Sequence, residues 1–161
     1  MEEVSLVARW AHLYSDHKAV SETVNFFHFG GVLLAGGLAV AADRATLRLT
    51  GARVDGGTST WALTEIAGVH RLVLCGLGII LVSGLLQTFA DLDTYLSSVV
   101  FWSKMALVAV LLANGWIRLR AETAVREGDP GAWPAYRRTS IASLVLWFTL
   151  VLLGTVLTGN G

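Results

Sequence analysis

The sequence predicts an all-α membrane protein: a four-transmembrane-helix bundle, up-down-up-down, with an N-terminal amphipathic helix lying at the interface. Composition is the first observation behind this. Of 161 residues, 54% are hydrophobic and 15% charged, and a mean hydropathy of +0.61 is too high for an ordinary soluble surface. The second is the presence of four nearly uncharged runs, at 26–42, 72–90, 96–117 (interrupted by Lys104) and 141–158. With its less polar flanks, each supplies the roughly 20 residues a helix needs to cross about 30 Å of hydrocarbon. An open sheet is excluded, because lipid cannot satisfy free backbone groups. The third is charge placement. Arg44, Arg48, Arg53 and Arg71 surround the first connection and Arg118, Arg120, Arg126, Arg137 and Arg138 the third, whereas the second is short and acidic, with Asp91 and Asp93.

These observations define a single membrane domain over 1–161, with an amphipathic helix at 1–18 and spans at about 22–44, 64–90, 95–118 and 136–158. By the positive-inside rule the two arginine-rich loops, 44–60 and 118–138, are cytoplasmic. The chain then sits in the cell's inner (cytoplasmic) membrane as a multi-pass protein with both termini outside. In the first segment Val4, Leu6, Val7, Trp10, Leu13 and Tyr14 recur at helical spacing opposite Glu3, His12, Ser15 and Asp16, the pattern of a helix lying in the outer interface. The Ala39–Val40–Ala41–Ala42 stretch resembles a signal-peptidase site. A long preceding segment beginning Met1-Glu2-Glu3 makes a retained helix the better reading. Gly128-Asp129-Pro130-Gly131 marks a turn, and Pro134 suits the first turn of the last helix.

Helices in lipid associate through close contact at small residues. Gly31, Ala35 and Ala39 provide such a stripe in the first span, Gly68, Cys75, Gly76, Ser83 and Gly84 in the second, and Ala106, Ala109 and Ala113 in the third. These stripes serve the bundle itself, self-association or contact with other membrane subunits equally well. Lys plus Arg equals Asp plus Glu at 12 each, so nothing points to nucleic acid as a partner. The lone Cys75 offers neither a disulfide framework nor a CxxC motif.

Polar groups inside spans are costly and are the place to look for function. The outer half carries Glu22, Asn25 and His28 in the first helix, Gln87 at the end of the second, and Lys104 with Met105 in the third. His28 and the Lys104–Met105 pair lie at similar depth on diagonal helices, so a His and a Met meeting across the core can ligate haem iron, with Lys104 beside a propionate or a quinone carbonyl. Phe26, Phe27, Phe29 and two glycines around His28 would let a flat cofactor approach. Haem b with His28 and Met105 as axial candidates is therefore one expectation, and quinone the alternative. The competing reading makes His28 a satisfied interfacial histidine, Met105 core filler, and Lys104 a side chain snorkelling to Asp91 or Asp93.

His70 is the weaker ligand candidate. It sits at the opposite end of its span, an offset in depth of roughly 16 to 24 Å at 1.5 Å rise per residue, and pairs better at the interface with Glu65 or Asp43. His12, Asp16 and His17 suggest copper or zinc handling at the outer surface. No HExxH, GxSxG, P-loop or dinucleotide fingerprint is present. The chain thus reads as a membrane module rather than an enzyme on its own, either electron-transferring or an accessory subunit of a larger complex.

Tyr95-Leu96, Phe101, Lys104, Leu107 and Asn114-Gly115 in the third span, Glu22-Thr23-Val24 ahead of a glycine-rich span ending Asp43-Arg44, and Ser83-Gly84-Leu85-Leu86 in the second carry a resemblance. They are similar to small bacterial four-helix membrane proteins and, more loosely, to copper-resistance D-type membrane proteins. The resemblance implies membrane location and haem or copper handling. Those groups often place a histidine three residues after the glutamate; here Asn25 holds that position and the histidine is His28.

Overall fold

In the computed structural model residues 5–51 and 56–159 are described, with the side chains at 50, 51, 56–67, 70 and 157–159 left aside. Every described element is helical: α1 (Leu6–Asp16), α2 (Lys18–Gly51), α3 (Gly56–Ala90), α4 (Leu92–Ser97), α5 (Val99–Arg126) and α6 (Trp133–Gly159), with a single 3-10 turn at Pro130–Ala132. Four segments are long and apolar enough to cross a membrane: Lys18–Leu49, Arg71–Ala90, Val99–Arg126 and Pro130–Val156. The chain is a multi-pass protein in contact with the bilayer through these apolar surfaces.

The helices run past the apolar limits of their sequence. α2 continues through Arg44 and Arg48, and α5 through Arg118, Arg120 and Arg126, because neither extension contains a glycine or proline until its end and the backbone bonds favour continuing the helix. The ends are set by side chains. Ser5 caps α1 by accepting from Ala8 N, Asp91 caps α4 from Thr94 N, and Ser98 caps α5 from Phe101 N. α5 stops at Gly128, whose φ of +87° allows the amides of Gly128 and Asp129 to bond back to the carbonyls of Val125 and Ala124.

α2 is the central helix. It packs against α3 on one side and α6 on the other, α5 packs against α6, and α3 and α5 scarcely approach one another. The small-residue stripe of the first span is consumed here. Ala35 is fully buried against Gly76, and a Cβ at Gly76 would stand 2.8 Å from the Ala35 Cβ and 3.0 Å from its backbone nitrogen. Gly31 faces Ile80 and the Gly76 carbonyl, and Gly36 seats the Trp147 ring of α6. Ala35, Ala39, Leu111, Trp147 and Leu150 form the apolar centre, flanked by Val73, Leu77, Ile80, Leu107 and Val108. Ala106, Ala109 and Ala113 of the third span instead lie exposed on the outside of α5.

Gly76→Ala should force α2 and α3 apart against backbone atoms that cannot yield, at a cost of about 1–3 kcal/mol. Thermal unfolding in mild detergent should show a lowered midpoint. Gly78→Ala, where the added methyl meets nothing within 4 Å, should not lower it.

Candidate functional site

Polar side chains gather at two depths, separated by the apolar centre. The layer nearer α4 is built on the α2–α3 pair. Asn25 and His28, one turn apart on α2, face Gln87 and Ser83 on α3. Gln87 Nε2 donates to Asn25 Oδ1 at 2.8 Å, and the Tyr14 hydroxyl of α1 donates to the same oxygen at 3.2 Å. His28 is buried, and its Nδ1 lies 3.0 Å from Ser83 Oγ. Ser83 Oγ in turn donates to the Ile79 carbonyl at 2.6 Å. With the serine proton on that carbonyl, Ser83 accepts from Nδ1–H, the tautomer that leaves a lone pair on Nε2. Gly84 makes room for the ring, since a Cβ there would lie 3.3 Å from His28 Cε1.

Lys104 reaches this layer from α5. Five residues into α5, it comes to a depth similar to Ser83, seven residues before the end of α3, and it belongs to the inward-facing set Phe101, Lys104, Leu107, Val108 and Leu111. Among the described residues no carboxylate lies within ion-pair distance of it, so the expected snorkel to Asp91 or Asp93 is not formed. Successive helical positions differ by about 100°, and with Lys104 inward Met105 turns out, 38% exposed. The expected facing of His28 and Met105 across the core is therefore corrected. Phe26, Phe27 and Phe29 are likewise exposed on the outside of α2 and line no site. Glu22 is exposed and pairs with Lys18 at 3.6 Å, apart from the layer.

α1 straps this end of the bundle. Besides the Tyr14 bond, Trp10 Nε1 donates to the Leu86 carbonyl at 2.8 Å. Burial, then the neighbouring Tyr95 phenol, raises the Tyr14 pKa above the ordinary value; burial, then Asp91, does the same for Tyr95. Raised phenol pKa values favour the neutral folded form, so their contribution to stability holds below about pH 10 and is lost as pH rises beyond it.

The second layer lies at the arginine-rich end and joins α2, α5 and α6. Arg118 Nε stands 3.3 Å from Asp43 Oδ1, with side chains 9% and 1% exposed. Arg118 Nη2 donates to Thr46 Oγ1 at 3.3 Å, and the guanidinium lies 5.4 Å from the Tyr136 ring centre. The hydroxyls of Thr46 and Tyr136 are 3.3 Å apart. Glu122, also buried, pairs with Arg126 at 3.3 Å. Asn114 Nδ2 donates to the Thr139 carbonyl at 2.9 Å, tying α5 to α6 just above. Sequence reasoning treated Arg118 as a loop charge and gave Asp43 only as a possible companion of His70. The signal was periodicity continued through charge: Ala35, Ala39, Ala42, Asp43, Thr46 on α2 and Leu111, Arg118, Ala121, Glu122, Val125 on α5 are each one buried face. The side chains of His70 and Glu65 lie outside the described residues.

Chemically, His28 fits the role of one axial ligand, with Nδ1 tethered and an electron pair on Nε2; Met105, turned outward, does not fit the other. The same Nε2 lone pair can accept a hydroxyl, and the Lys104 ammonium can donate to a carbonyl. His12 and His17 are exposed, and among the described residues no three His, Cys, Asp or Glu side chains gather as a metal site.

Removing one partner of the Arg118–Asp43 pair strands a buried charge, so Asp43→Asn or Arg118→Met alone should lower stability by about 3–5 kcal/mol. The double variant Asp43→Leu/Arg118→Met should recover most of the loss in detergent unfolding. Equal loss in single and double variants would show that the pair acts through something other than charge compensation.

No family model, curated protein or solved structure matches this chain.

Proposed function

We propose that the chain is an inner-membrane protein, up-down-up-down with both termini outside, whose outer polar layer binds a lipid-soluble ligand of the quinone class between His28 and Lys104. The observation that carries this reading is the combination at similar depth of an imidazole tethered through Nδ1 and an inward lysine with no carboxylate partner among the described residues. An ammonium facing an apolar core without a counter-ion is expensive, and a carbonyl oxygen is the neutral group that would relieve it while remaining soluble in lipid. The reduced form of the same head offers a hydroxyl for Nε2. Neither group performs chemistry unaided, so the chain is read as a binding and electron-transfer module or an accessory subunit rather than a complete enzyme.

The orientation rests on charge. Arg44, Arg48, Arg120, Arg126, Arg137 and Arg138 are exposed at one end of the bundle, while Asp91 and Asp93 are exposed at the other, which supports placing the arginine end in the cytoplasm. Trp116 under the Arg120 guanidinium, 3.7 Å from ring centre to Cζ, suits the headgroup level at that end. α1, apolar on one face, then lies in the outer interface.

Haem b is the second reading, favoured by the Nδ1 tether of His28, with that residue as the one protein ligand and Lys104 near a propionate. Spectra of the purified protein separate the two. The quinone reading predicts no Soret band, quinone in the solvent extract, and binding weakened about 10–100-fold in Lys104→Ala, the effect of losing one charge-assisted hydrogen bond. A Soret band abolished by His28→Ala but not by His70→Ala would replace quinone by haem. A protein without either ligand would leave the accessory-subunit reading. In a Cys75→Ser background, cysteines placed at Asp129 and at Asp93 should label from the cytoplasmic and the outer side respectively; the reverse pattern would overturn the orientation.

A further inference from the structure

The path by which a ligand reaches the outer layer is narrowed by what surrounds it. From the aqueous side α1 lies across the α2–α3 pair, fastened by Trp10 to the Leu86 carbonyl and by Tyr14 to Asn25. α2 is joined to α3 at the layer itself through His28 and Ser83 and closes on it below through Gly31, Ala35 and Gly76, while α6 closes on α2 at the depth of the apolar centre through Trp147 and Gly36. The side between α3 and α5 is different, because these helices scarcely approach one another. Lys104 stands on the α5 wall of that side.

α5 is also held unevenly. Among the described residues, its polar contacts with α2 and α6 are confined to the stretch from Asn114 onward: Asn114 to Thr139, Arg118 to Asp43 and Thr46, and the Arg118 guanidinium over Tyr136. Among the described residues, the half at 99–113 makes no hydrogen bond or ion pair to α2, α3 or α6; Trp102 Nε1 donates to the Leu96 carbonyl of the adjoining α4, and Ser98 and Ser103 bond only to backbone nearby in the chain. That half is held by apolar contacts such as Leu107 and Val108 against the central cluster. In lipid such contacts carry no hydrophobic penalty for separating, since tails replace them. At the boundary between the clamped and unclamped halves sits Gly115, whose missing Cβ would meet nothing within 4 Å, so no packing requirement explains a glycine there. A glycine in a helix lowers the cost of bending.

We propose that the site takes a tailed ligand sideways from the bilayer: the head sits between His28 and Lys104, the alkyl or isoprenoid tail lies between α3 and α5, and residues 99–114 of α5 swing about Gly115 to admit it. This rests on the quinone reading for the identity of the head, but the hinge is a property of the chain itself. The swing carries Lys104 with it, so its contact with the head forms on closure.

Two measurements on the full chain in lipid nanodiscs, in the Cys75→Ser background, test it. Spin labels at Ser103 and Val82 report the outer gap, and labels at Thr123 and Arg138 report the arginine end. The outer pair should give a broad distance distribution that Gly115→Ala narrows, while the inner pair stays narrow in both. An outer distribution as narrow as the inner one overturns the hinge whether or not any quinone binds. Stopped-flow exchange of decyl-ubiquinone should then slow about two- to fivefold in both directions in Gly115→Ala, with the dissociation constant unchanged, as expected for a barrier raised by the Gly-to-Ala helix preference. Ala113→Gly, at an exposed position, should accelerate exchange by a similar factor and covers the case in which the first variant folds poorly. Unaltered exchange in both variants overturns sideways admission. A mobile outer pair with no quinone bound would instead retain the hinge and reject the quinone reading.

Discussion

The contact of Ala35 with Gly76 is the constraint from which the polar layer around His28 follows. Because a Cβ on Gly76 would intrude on the Ala35 backbone, these two helices meet at near-backbone distance, and a meeting that close tolerates no slip along the axis. Counting seven residues back on α2 and seven forward on α3 from this point arrives at His28 and Ser83, which are bonded. Four back and four forward arrives at Gly31 and Ile80, also in contact. Seven residues are close to two helical turns, so each pair returns to the same face, and the imidazole finds its serine because two small residues lower down set the register. A slip of one residue would turn Ser83 away from the ring and leave a buried polar group in lipid unsatisfied, at a cost of several kcal/mol by order of magnitude.

The two polar layers answer the same solvent in different ways. At the arginine end, charge is matched by charge inside the protein: Arg118 lies beside Asp43 and Arg126 beside Glu122, with Thr46 and Tyr136 taking part. Such a buried set adds little net stability over an apolar replacement, yet it penalises any arrangement that separates its members. It therefore acts as a specificity device joining α2 to α5, helices that hardly touch elsewhere. The layer nearer α4 is matched by neutral hydrogen bonds on the α2–α3 side, whereas on the α5 side it presents Lys104. One layer pairs charge with charge, and the other is the one proposed to turn a face toward a ligand.

Much of this was legible in the sequence, for identifiable reasons. The spans were, because an uncharged run of about 20 residues has few alternatives in any protein. Asn25, His28, Gln87 and Lys104 were singled out because polar residues inside such runs are rare, and the structure brings them to one end of the bundle. The positions that were not legible all depend on rotation or on partners. Lys104 and Met105 are adjacent in sequence at equal depth, and only the packing of Leu107, Val108 and Leu111 shows that one faces in and its neighbour out. Arg118 looked like a loop residue because hydropathy counts a charge without asking whether it meets its opposite; Asp43, 75 positions earlier, supplies the partner that keeps the helix and the burial going. The alanines of the first and third spans form similar stripes, but one is spent against Gly76 and the other is left on the outside of α5, a division that composition cannot make.

Uneven fastening of α5 links the fold to its proposed use. A site for a lipid-soluble ligand must be closed enough to hold a head group and open enough to admit it through hydrocarbon, and a bundle of four equally clamped helices meets only the first need. Placing the costly contacts of α5, the buried ion pair and the Asn114 amide, at one end lets that end carry the register and topology. The other half is then held by dispersion contacts that lipid can replace at little free-energy cost. Under this division the residue proposed to touch the ligand and the residue proposed to permit its admission need not be near each other, and Lys104 and Gly115 are separated by three helical turns, about 16 Å of rise. A polar contact between residues 99–113 and α3 would stabilise the bundle further, and it would do so by closing the face on which the proposed site depends.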